Sequence, residues 1–177
     1  MEYRIRVIDR AHSADIRLKN EPFSLYGRLI PSCVDGKWDY TVRLFEEKEV
    51  SEMCFPDENY DYGAMAGDHT FIGAYDGDTC VGLAVMAEAW FRYMYLDDLK
   101  VNRAYRGQGV GRSLIRKAME VALEKGYNGI YAIGQENNLA ACKFYLRCGF
   151  EIGGFDNRVY HGTSLDGNAD IYFYLDR

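Results

Sequence analysis

Three glycines and two arginines between positions 106 and 112 are the residues of this chain best suited to hold an anion. They stand in the run Arg106-Gly107-Gln108-Gly109-Val110-Gly111-Arg112, between an apolar segment and an amphipathic one. Glycines at alternate positions let a backbone turn tightly and approach a ligand without a Cβ atom in the way. A helix that begins here leaves its first N–H groups unpaired and carries partial positive charge at that end. The run therefore predicts a binding site for a phosphate or pyrophosphate.

Two common phosphate-binding loops do not fit this run. A nucleoside-triphosphate loop requires G-x-x-x-x-G-K-[ST], but Gly107 and Gly111 are one residue too close and Arg112 replaces the lysine. The dinucleotide fingerprint requires G-x-G-x-x-G, and Arg112 occupies the position of its third glycine. The pattern that does fit is R-x-x-G-x-G, from Arg106 to Gly111. Taken alone, a glycine-rich turn before an ordinary helix is the alternative.

A second set of polar groups lies further along the chain, at Asn138, Ala141 and Tyr145. On a helix these three residues lie near one face, because seven residues make almost two full turns. A small alanine between two polar groups would let a slender ligand lie against that face. The alternative is that Tyr145 is a core aromatic residue and Asn138 caps the helix.

Hydrophobic periodicity predicts the elements that position these groups. Alternation over Tyr93–Val101 predicts a strand before the run, and an apolar stripe predicts a helix from about Gly109 to Lys125, which Gly126 ends. Asn137 or Asn138 begins a second helix, to about residue 147. The other predicted elements are strands at 3–8, 70–75, 79–87, 129–133, 149–155 and 170–175, a short helix at 12–18 and a hairpin around Asp35-Gly36.

Length, charge and cysteine content narrow the class of protein. With 177 residues the chain is long enough for one domain with a buried core. No window holds the roughly 18 apolar residues of a membrane helix, and the N-terminus lacks the apolar region of a secretory signal. Five cysteines without a C-x-x-C pair indicate reduced thiols in a cytoplasmic protein. A net charge of −6 argues against nucleic acid and favours neutral or cationic partners.

The two sets of polar residues together resemble the coenzyme site of GNAT-type N-acetyltransferases. R-x-x-G-x-G is followed by N-x-x-A-x-x-F-Y-x-x-x-G-F, from Asn138 to Phe150. The resemblance covers residues 70–155 and is weak over the first 65. It implies acetyl coenzyme A as cosubstrate and a single α/β (α+β) domain, 1–177: a mixed, mostly antiparallel sheet with a splayed central parallel strand pair, flanked by helices. Within it, residues 1–68 would bind the acceptor, 69–155 would bind acetyl coenzyme A, and 156–177 would form closing strands.

The resemblance also implies which residues contact acetyl coenzyme A. The backbone of Leu99, Lys100 and Val101 would pair with the pantetheine arm. Asn138 and Ala141 would lie along the pantetheine, and Tyr145 would point at the sulfur, where its O–H can protonate the departing thiolate. The pyrophosphate would be held by the loop, chiefly by the amides from 108 to 112; the loop residues are Arg106, Gly107, Gln108, Gly109, Val110, Gly111 and Arg112.

Two adjacent carboxylates, Asp97 and Asp98, are the candidates for the catalytic base. An alkyl amine with a pKa near 10.4 needs about 4 to 5 kcal/mol to lose its proton at pH 7, and a nearby carboxylate would help to remove it. Strand alternation would point the two side chains to opposite faces. Similar acetyltransferases use the first acid of such a pair, which favours Asp97; the alternative is a structural role for both. The backbone N–H of Leu99 would donate to the thioester oxygen.

An acyl-cysteine route and a metal are disfavoured by the sequence. Cys142 and Cys148 lie near the expected site, but neither has a histidine close to it in the sequence. The histidines at 12, 69 and 161 lack the spacing of metal ligands, so no metal is expected. We therefore expect direct transfer of the acetyl group.

The acceptor is indicated by an acidic segment and by a second resemblance. Residues 46–68 hold eight acids against the single base Lys48, interleaved with aromatic side chains, and would attract a polycation; the alternative is a solvated acidic loop. Pro22–Pro31 and Tyr95–Val101 are similar to stretches of streptothricin acetyltransferases, although Asp97 stands where glutamate is more usual. This similarity implies streptothricin, at its β-lysine amine, as the acceptor and antibiotic resistance as the role.

Other acceptors are compatible with the sequence: a polyamine, an aminoglycoside or a protein lysine. A coenzyme A-binding sensor without catalysis is the alternative from another class of protein, although Asp97 and Tyr145 speak against it. In each enzymatic case we expect a small or exposed cationic amine as substrate and no nucleic-acid or membrane partner. The sequence does not decide the oligomeric state, and a homodimer is compatible with it.

Overall fold

The computed structural model describes residues 3–177. Within them lie the strands β1 (Arg4–Val7), β2 (Phe23–Leu25), β3 (Gly27–Val34), β4 (Lys37–Leu44), β5 (Ser51–Met53), β6 (His69–Asp76), β7 (Thr79–Ala87), β8 (Tyr93–Val101), β9 (Gly129–Gln135), β10 (Glu151–Asp156) and β11 (Asp170–Asp176). The α-helices are α1 (Tyr62–Met65), α2 (Val110–Glu124) and α3 (Leu139–Arg147). Short 3-10 helices span Arg10–Arg17, Glu47–Glu49 and Arg103–Tyr105.

The chain divides into two compact units, each built from separate stretches of sequence. The first consists of the described residues up to Glu21 together with Cys54–Ile130 and Arg177. The second consists of Pro22–Met53 and Tyr131–Asp176.

In the first unit, β1, β6, β7 and β8 form an antiparallel sheet in that order. The helix α2 packs on one face, where Gly82 of β7 leaves room for it: a Cβ atom there would lie 3.1 Å from Leu114 and 3.2 Å from Val110. Because side chains alternate along a strand, Leu83 and Val85 of β7 face the side of the sheet opposite to α2. On that side they form a core cluster with Ile8, Ile16 and Phe71.

In the second unit, β9, β11 and β10 lie side by side, and β10 and β11 are antiparallel. The strands β3 and β4 form a hairpin, and α3 packs on β2 and β3. Asp35 and Gly36 turn the hairpin with φ angles of 50° and 75°. Two consecutive positive φ angles are typical of the type I′ turns that suit the twist of hairpin strands.

The predicted elements are largely confirmed. The strand before the glycine run, α2, α3 and the turn at Asp35-Gly36 lie where the sequence places them, and residues 10–17 form a 3-10 helix. Gly126 ends α2 with a φ of 86°. Its N–H donates to the Leu123 carbonyl, and the Tyr127 N–H donates to the Ala122 carbonyl, each at 3.0 Å. These two hydrogen bonds make a Schellman cap.

Candidate active site

The glycine run forms a tight turn that leads from β8 into α2. Gly107 and Gly109 have φ angles of 74° and 87°, a left-handed backbone that side chains with a Cβ atom rarely adopt. Gly109 is the N-cap of α2, and no side chain caps the helix there. A Cβ atom built at either glycine would meet no protein atom within 4 Å. The first N–H groups of an α-helix have no acceptor within the helix, so the start of this 15-residue helix, which no side chain caps, is suited to bind an anion.

Side chains of the loop brace its own backbone. Gln108 donates from Nε2 to the Ala104 carbonyl at 2.7 Å and accepts a hydrogen bond from the Tyr3 hydroxyl at 2.6 Å. Arg106 donates from Nε to the Val101 carbonyl at 2.9 Å. The Glu21 carboxylate accepts from the backbone N–H of Arg103. These contacts fix the loop at its start.

A β-bulge interrupts β8 at Asp97. The partners of Val85 and Met86 on β8 are Asp98 and Leu96, which leaves Asp97 as an extra residue. Bulges break the alternation of side chains and are frequent beside active sites. Burial raises the pKa of the Tyr60 phenol, and the charges of Asp98 and Asp97 add to the rise. Because of the bulge, strict strand alternation does not determine the faces of the two carboxylates.

The Asp98 carboxylate is bound by two other side chains of the protein. Its carboxylate lies 2.9 Å from the Lys100 ammonium and accepts a hydrogen bond from the Tyr60 hydroxyl at 3.3 Å. Burial raises the pKa of Asp98, and Lys100 opposes that shift. A carboxylate already bound by a cation and a phenol is poorly placed to accept a substrate proton.

Asp97 differs from Asp98 in that its carboxylate is exposed and accepts no hydrogen bond from any of residues 3–177. Surrounding protein atoms still desolvate it in part, and this raises its pKa. The charge of Glu58 adds to the rise, whereas His69 opposes it. A raised pKa and free lone pairs are the properties that a general base needs.

The helix α3 brings Asn138, Ala141 and Tyr145 into the second unit. Asn138 is the N-cap, and its side chain accepts from the Ala141 N–H at 3.2 Å. The Tyr145 ring is buried, with ring centroids 5.3 Å from both Phe150 and Phe173. The structural alternatives for Asn138 and for the Tyr145 ring are thus observed, and they are compatible with a role of the Tyr145 hydroxyl or of the Asn138 Nδ2 group toward a ligand.

The acidic segment 46–68 is not a uniform charged surface. Four of its carboxylates pair with cations: Glu46 with Lys48, Glu49 with Arg43, Asp57 with Lys19, and Glu58 with Lys100. Asp61 caps α1, and Asp68 contacts His69. The segment is also divided between the two units after residue 53. Any attraction for a polycation therefore comes from individual carboxylates and not from the acidic segment as a whole.

Two ion pairs, one in each unit, are not predicted by the sequence. Lys100 joins Glu58 to Asp98, although 42 residues separate Lys100 from Glu58. In the second unit, the buried carboxylate of Glu136 lies 3.5 Å from Arg28 Nε. The one available signal was that Lys100 stands two positions after an acid in a half-buried strand, where a lone ammonium requires a counterion.

The Cys142 thiol is unsuited to nucleophilic catalysis. All five are free; Cys33 and Cys54 are exposed, whereas Cys80 and Cys142 are buried. Burial, helped by the charge of Glu136, raises the pKa of the Cys142 thiol to about 12. At neutral pH this thiol is almost entirely protonated and unreactive.

Within residues 3–177, no three His, Cys, Asp or Glu side chains come together as metal ligands. Among the helices described, none has the length and apolar composition that crossing a bilayer requires.

Comparison with known proteins identifies the class. Residues 35–150 match the acetyltransferase (GNAT) family, to which the chain therefore belongs. Streptothricin acetyltransferase A of Bacillus subtilis (strain 168) is 31% identical over 160 residues, which are 90% of this chain and 92% of the relative.

Two solved structures are similar over nearly the whole chain. A protein of Bacillus anthracis, assigned as a streptothricin acetyltransferase and solved in complex with acetyl coenzyme A, superposes with a TM-score of 0.87 at 32% identity and covers 100% of this chain and 99% of its own. A nourseothricin acetyltransferase superposes with a TM-score of 0.78 at 25% identity, over 98% of both chains.

Family membership confirms several expectations. The fold is the mixed α/β fold of this family, with a mostly antiparallel sheet that includes a parallel strand pair. The chain is an N-acetyltransferase, and acetyl coenzyme A is its cosubstrate.

Proposed function

We propose that this enzyme acetylates a primary amine of a cationic small molecule, and that the molecule is streptothricin, at its β-lysine amine. The observation that carries the proposal is the 31% identity to streptothricin acetyltransferase A, which extends over 90% of the chain and so includes most of residues 1–68, to which we assign acceptor binding. The similarity in structure to a nourseothricin acetyltransferase supports the same class of acceptor. A free carboxylate at the bulge of β8 suits an acceptor that arrives as an ammonium.

The chemistry begins with the proton of the acceptor. Asp97 takes this proton, directly or through a water molecule, and the freed amine attacks the carbonyl carbon of the thioester. The N–C bond forms as the C–S bond breaks. The N–H of Leu99 donates to the carbonyl oxygen while negative charge develops there. The Tyr145 hydroxyl gives its proton to the coenzyme A thiolate, and the second proton that the nitrogen loses as the amide forms restores the hydroxyl through solvent. Asp98, already bound by Lys100 and Tyr60, supports this arrangement without taking the proton.

The coenzyme is assigned to the backbone of the first unit and to α3. The pantetheine arm pairs with the backbone at Leu99, Lys100 and Val101 and lies along Asn138 and Ala141. The pyrophosphate binds the amides at the start of α2. The uncapped Gly109 and the left-handed turn support this assignment.

A kinetic comparison of four amines tests which acceptor the enzyme prefers. Streptothricin, spermidine, an aminoglycoside and a lysine peptide are compared by coenzyme A release, with mass spectrometry to place the acetyl group. We expect kcat/KM for streptothricin to exceed the others by at least about tenfold, since a fitted amine pocket discriminates on that scale. A preference for another amine would contradict the streptothricin assignment. Tight binding of acetyl coenzyme A without transfer to any amine would indicate a sensor.

A pair of glycine substitutions tests the pyrophosphate loop. Gly109 and Gly126 lie at the two ends of α2 with φ angles of 87° and 86°, and a Cβ atom would be free of contacts at both. Alanine at either position should therefore cost a similar free energy of unfolding, about 1 to 2 kcal/mol. Only Gly109→Ala should also raise the Kd of acetyl coenzyme A, by about tenfold, because it alters the amides that face the pyrophosphate. Calorimetric titration measures both Kd values; equal affinities would show that the loop does not hold the coenzyme.

A further inference from the structure

The Lys100 side chain lies inside the first unit, between two carboxylates. Its ammonium pairs with Glu58 through a short contact and with Asp98 at 2.9 Å. Only 9% of the Lys100 side chain is exposed, against 29% for Glu58 and 16% for Asp98. The ammonium also lies 5.8 Å from the centre of the Tyr60 ring. The buried ammonium is thus surrounded by protein groups that stabilise its charge, namely two carboxylates and the face of an aromatic ring.

Glu58 connects this cluster to the segment that precedes β2. Its two carboxylate oxygens each accept from the Asn20 side chain at 3.1 Å. Asn20 also donates its backbone N–H to Asp57 at 2.8 Å and its side-chain amide to the Pro56 carbonyl at 2.9 Å. Lys100 therefore links β8 to residues 56–58 and, through them, to residue 20.

The cluster concentrates negative charge beside Asp97. Glu58, Asp97 and Asp98 all act on the phenol of Tyr60, and Lys100 is the cation in contact with two of the three carboxylates. From β6, the charge of His69 favours the ionised form of Asp97. Burial tends to raise the pKa of Glu58, but hydrogen bonds from Lys100 and Asn20 outweigh it and leave this pKa lowered. Lys100 thus lowers the pKa of Glu58 and opposes the rise that burial gives to the pKa of Asp98.

We propose that Lys100 is a positioning residue for acetyl transfer: its ammonium neutralises Glu58 and Asp98 and anchors the loop that carries Glu58 to β8, so that Asp97 is left as the carboxylate that exchanges protons with the acceptor. This role of the side chain is separate from the pairing of its backbone with pantetheine. The inference rests on the proposed function, in which Asp97 is the base.

Two substitutions at this ion pair should move the pH profile in opposite directions. Lys100→Met removes the cation, so the remaining negative charges make every nearby carboxylate harder to ionise. The acidic limb of kcat/KM should then move to higher pH, by about one unit. Glu58→Gln keeps the cation and removes one anion, so the acidic limb should move to lower pH. A role confined to packing predicts no such opposite shifts.

The experiment records kcat/KM against pH for the wild type and both variants, with whichever amine of the panel reacts fastest. Lys125→Met is the matched control, because Lys125 forms a 2.7 Å ion pair with Glu88 at the surface. We expect the control to keep the wild-type profile and to keep the Kd for acetyl coenzyme A within about twofold of the wild-type value, which is the scatter of distant, independent substitutions. Lys100→Arg, which keeps the charge, should restore most of the profile.

Acidic limbs that coincide with the wild type in Lys100→Met and Glu58→Gln would overturn the inference. Should Lys100→Met fail to fold, Glu58→Gln decides alone, since a shift to lower pH supports the inference and an unchanged limb refutes it. Failure of the proposed function is distinguishable: it would appear in the wild type, as no transfer to streptothricin, or as full activity of an Asp97 variant, whatever the profiles of the Lys100 variants.

Discussion

Replacing Asp97 by asparagine should lower kcat/KM for the amine acceptor by about two to three orders of magnitude, the range in which a general base contributes. The substitution keeps the shape of the bulge side chain and removes its ability to take a proton. Because the base must be ionised, wild-type kcat/KM should fall as the pH drops through the raised pKa of Asp97. That acidic limb should vanish in Asp97→Asn. Initial rates across the pH range measure both effects.

Two further variants serve to interpret the effect of Asp97→Asn. Asp78→Asn is the matched control, since Asp78 is fully exposed in the turn between β6 and β7 and should leave the rate unchanged. Asp98→Asn should reduce kcat/KM less than Asp97→Asn, because Asp98 is held by Lys100 and Tyr60. A larger loss in Asp98→Asn than in Asp97→Asn would transfer the role of base to Asp98.

Tyr145→Phe should lower kcat by about one to two orders of magnitude, the lower range of general acid catalysis, while Kd for acetyl coenzyme A changes little. Phenylalanine keeps the ring that packs on Phe150 and Phe173 and removes only the hydroxyl that would protonate the thiolate. Single-turnover rates and calorimetric titration separate the two quantities. Tyr172→Phe, a half-buried tyrosine of β11, is the control.

A large loss of coenzyme binding in Tyr145→Phe would assign the hydroxyl to the structure of the coenzyme site. An unchanged kcat would mean that another group, or solvent, protonates the leaving thiolate. In either case the aromatic cluster around Tyr145 should still form, because its contacts are made by the ring.

The features that the sequence predicted correctly depend on short-range rules. The turn at Gly107 and Gly109, the end of α2 at Gly126 and the cap at Asn138 each require a particular residue type at one position. Periodicity over β8 and α2 needs only a window of neighbouring residues. These rules also carried the resemblance to the family, since its motifs lie in the same turns and helix starts.

The features that the sequence missed depend on contacts between distant residues. Nothing near Lys100 in the sequence indicates that Glu58 is its partner, and the bulge at Asp97 depends on the register of β8 against β7. An extra residue in a strand changes where the following side chains point without changing the apolar pattern much. Strict alternation therefore does not apply to Asp97 and Asp98, and the acidic segment 46–68 contains carboxylates with different partners although its sequence is uniformly acidic.

The exposure of Cys33 and Cys54 affects how turnover of this enzyme is recorded. Dyes that report coenzyme A by exchanging with its sulfhydryl also react with accessible cysteines, at rates set by thiolate content and access. The thiols of Cys33 and Cys54 would add an initial increase in absorbance, proportional to enzyme concentration, that resembles a first turnover. Serine at both positions would remove this background signal. Cys80 and Cys142 are buried and would not react with the dye until the chain unfolds.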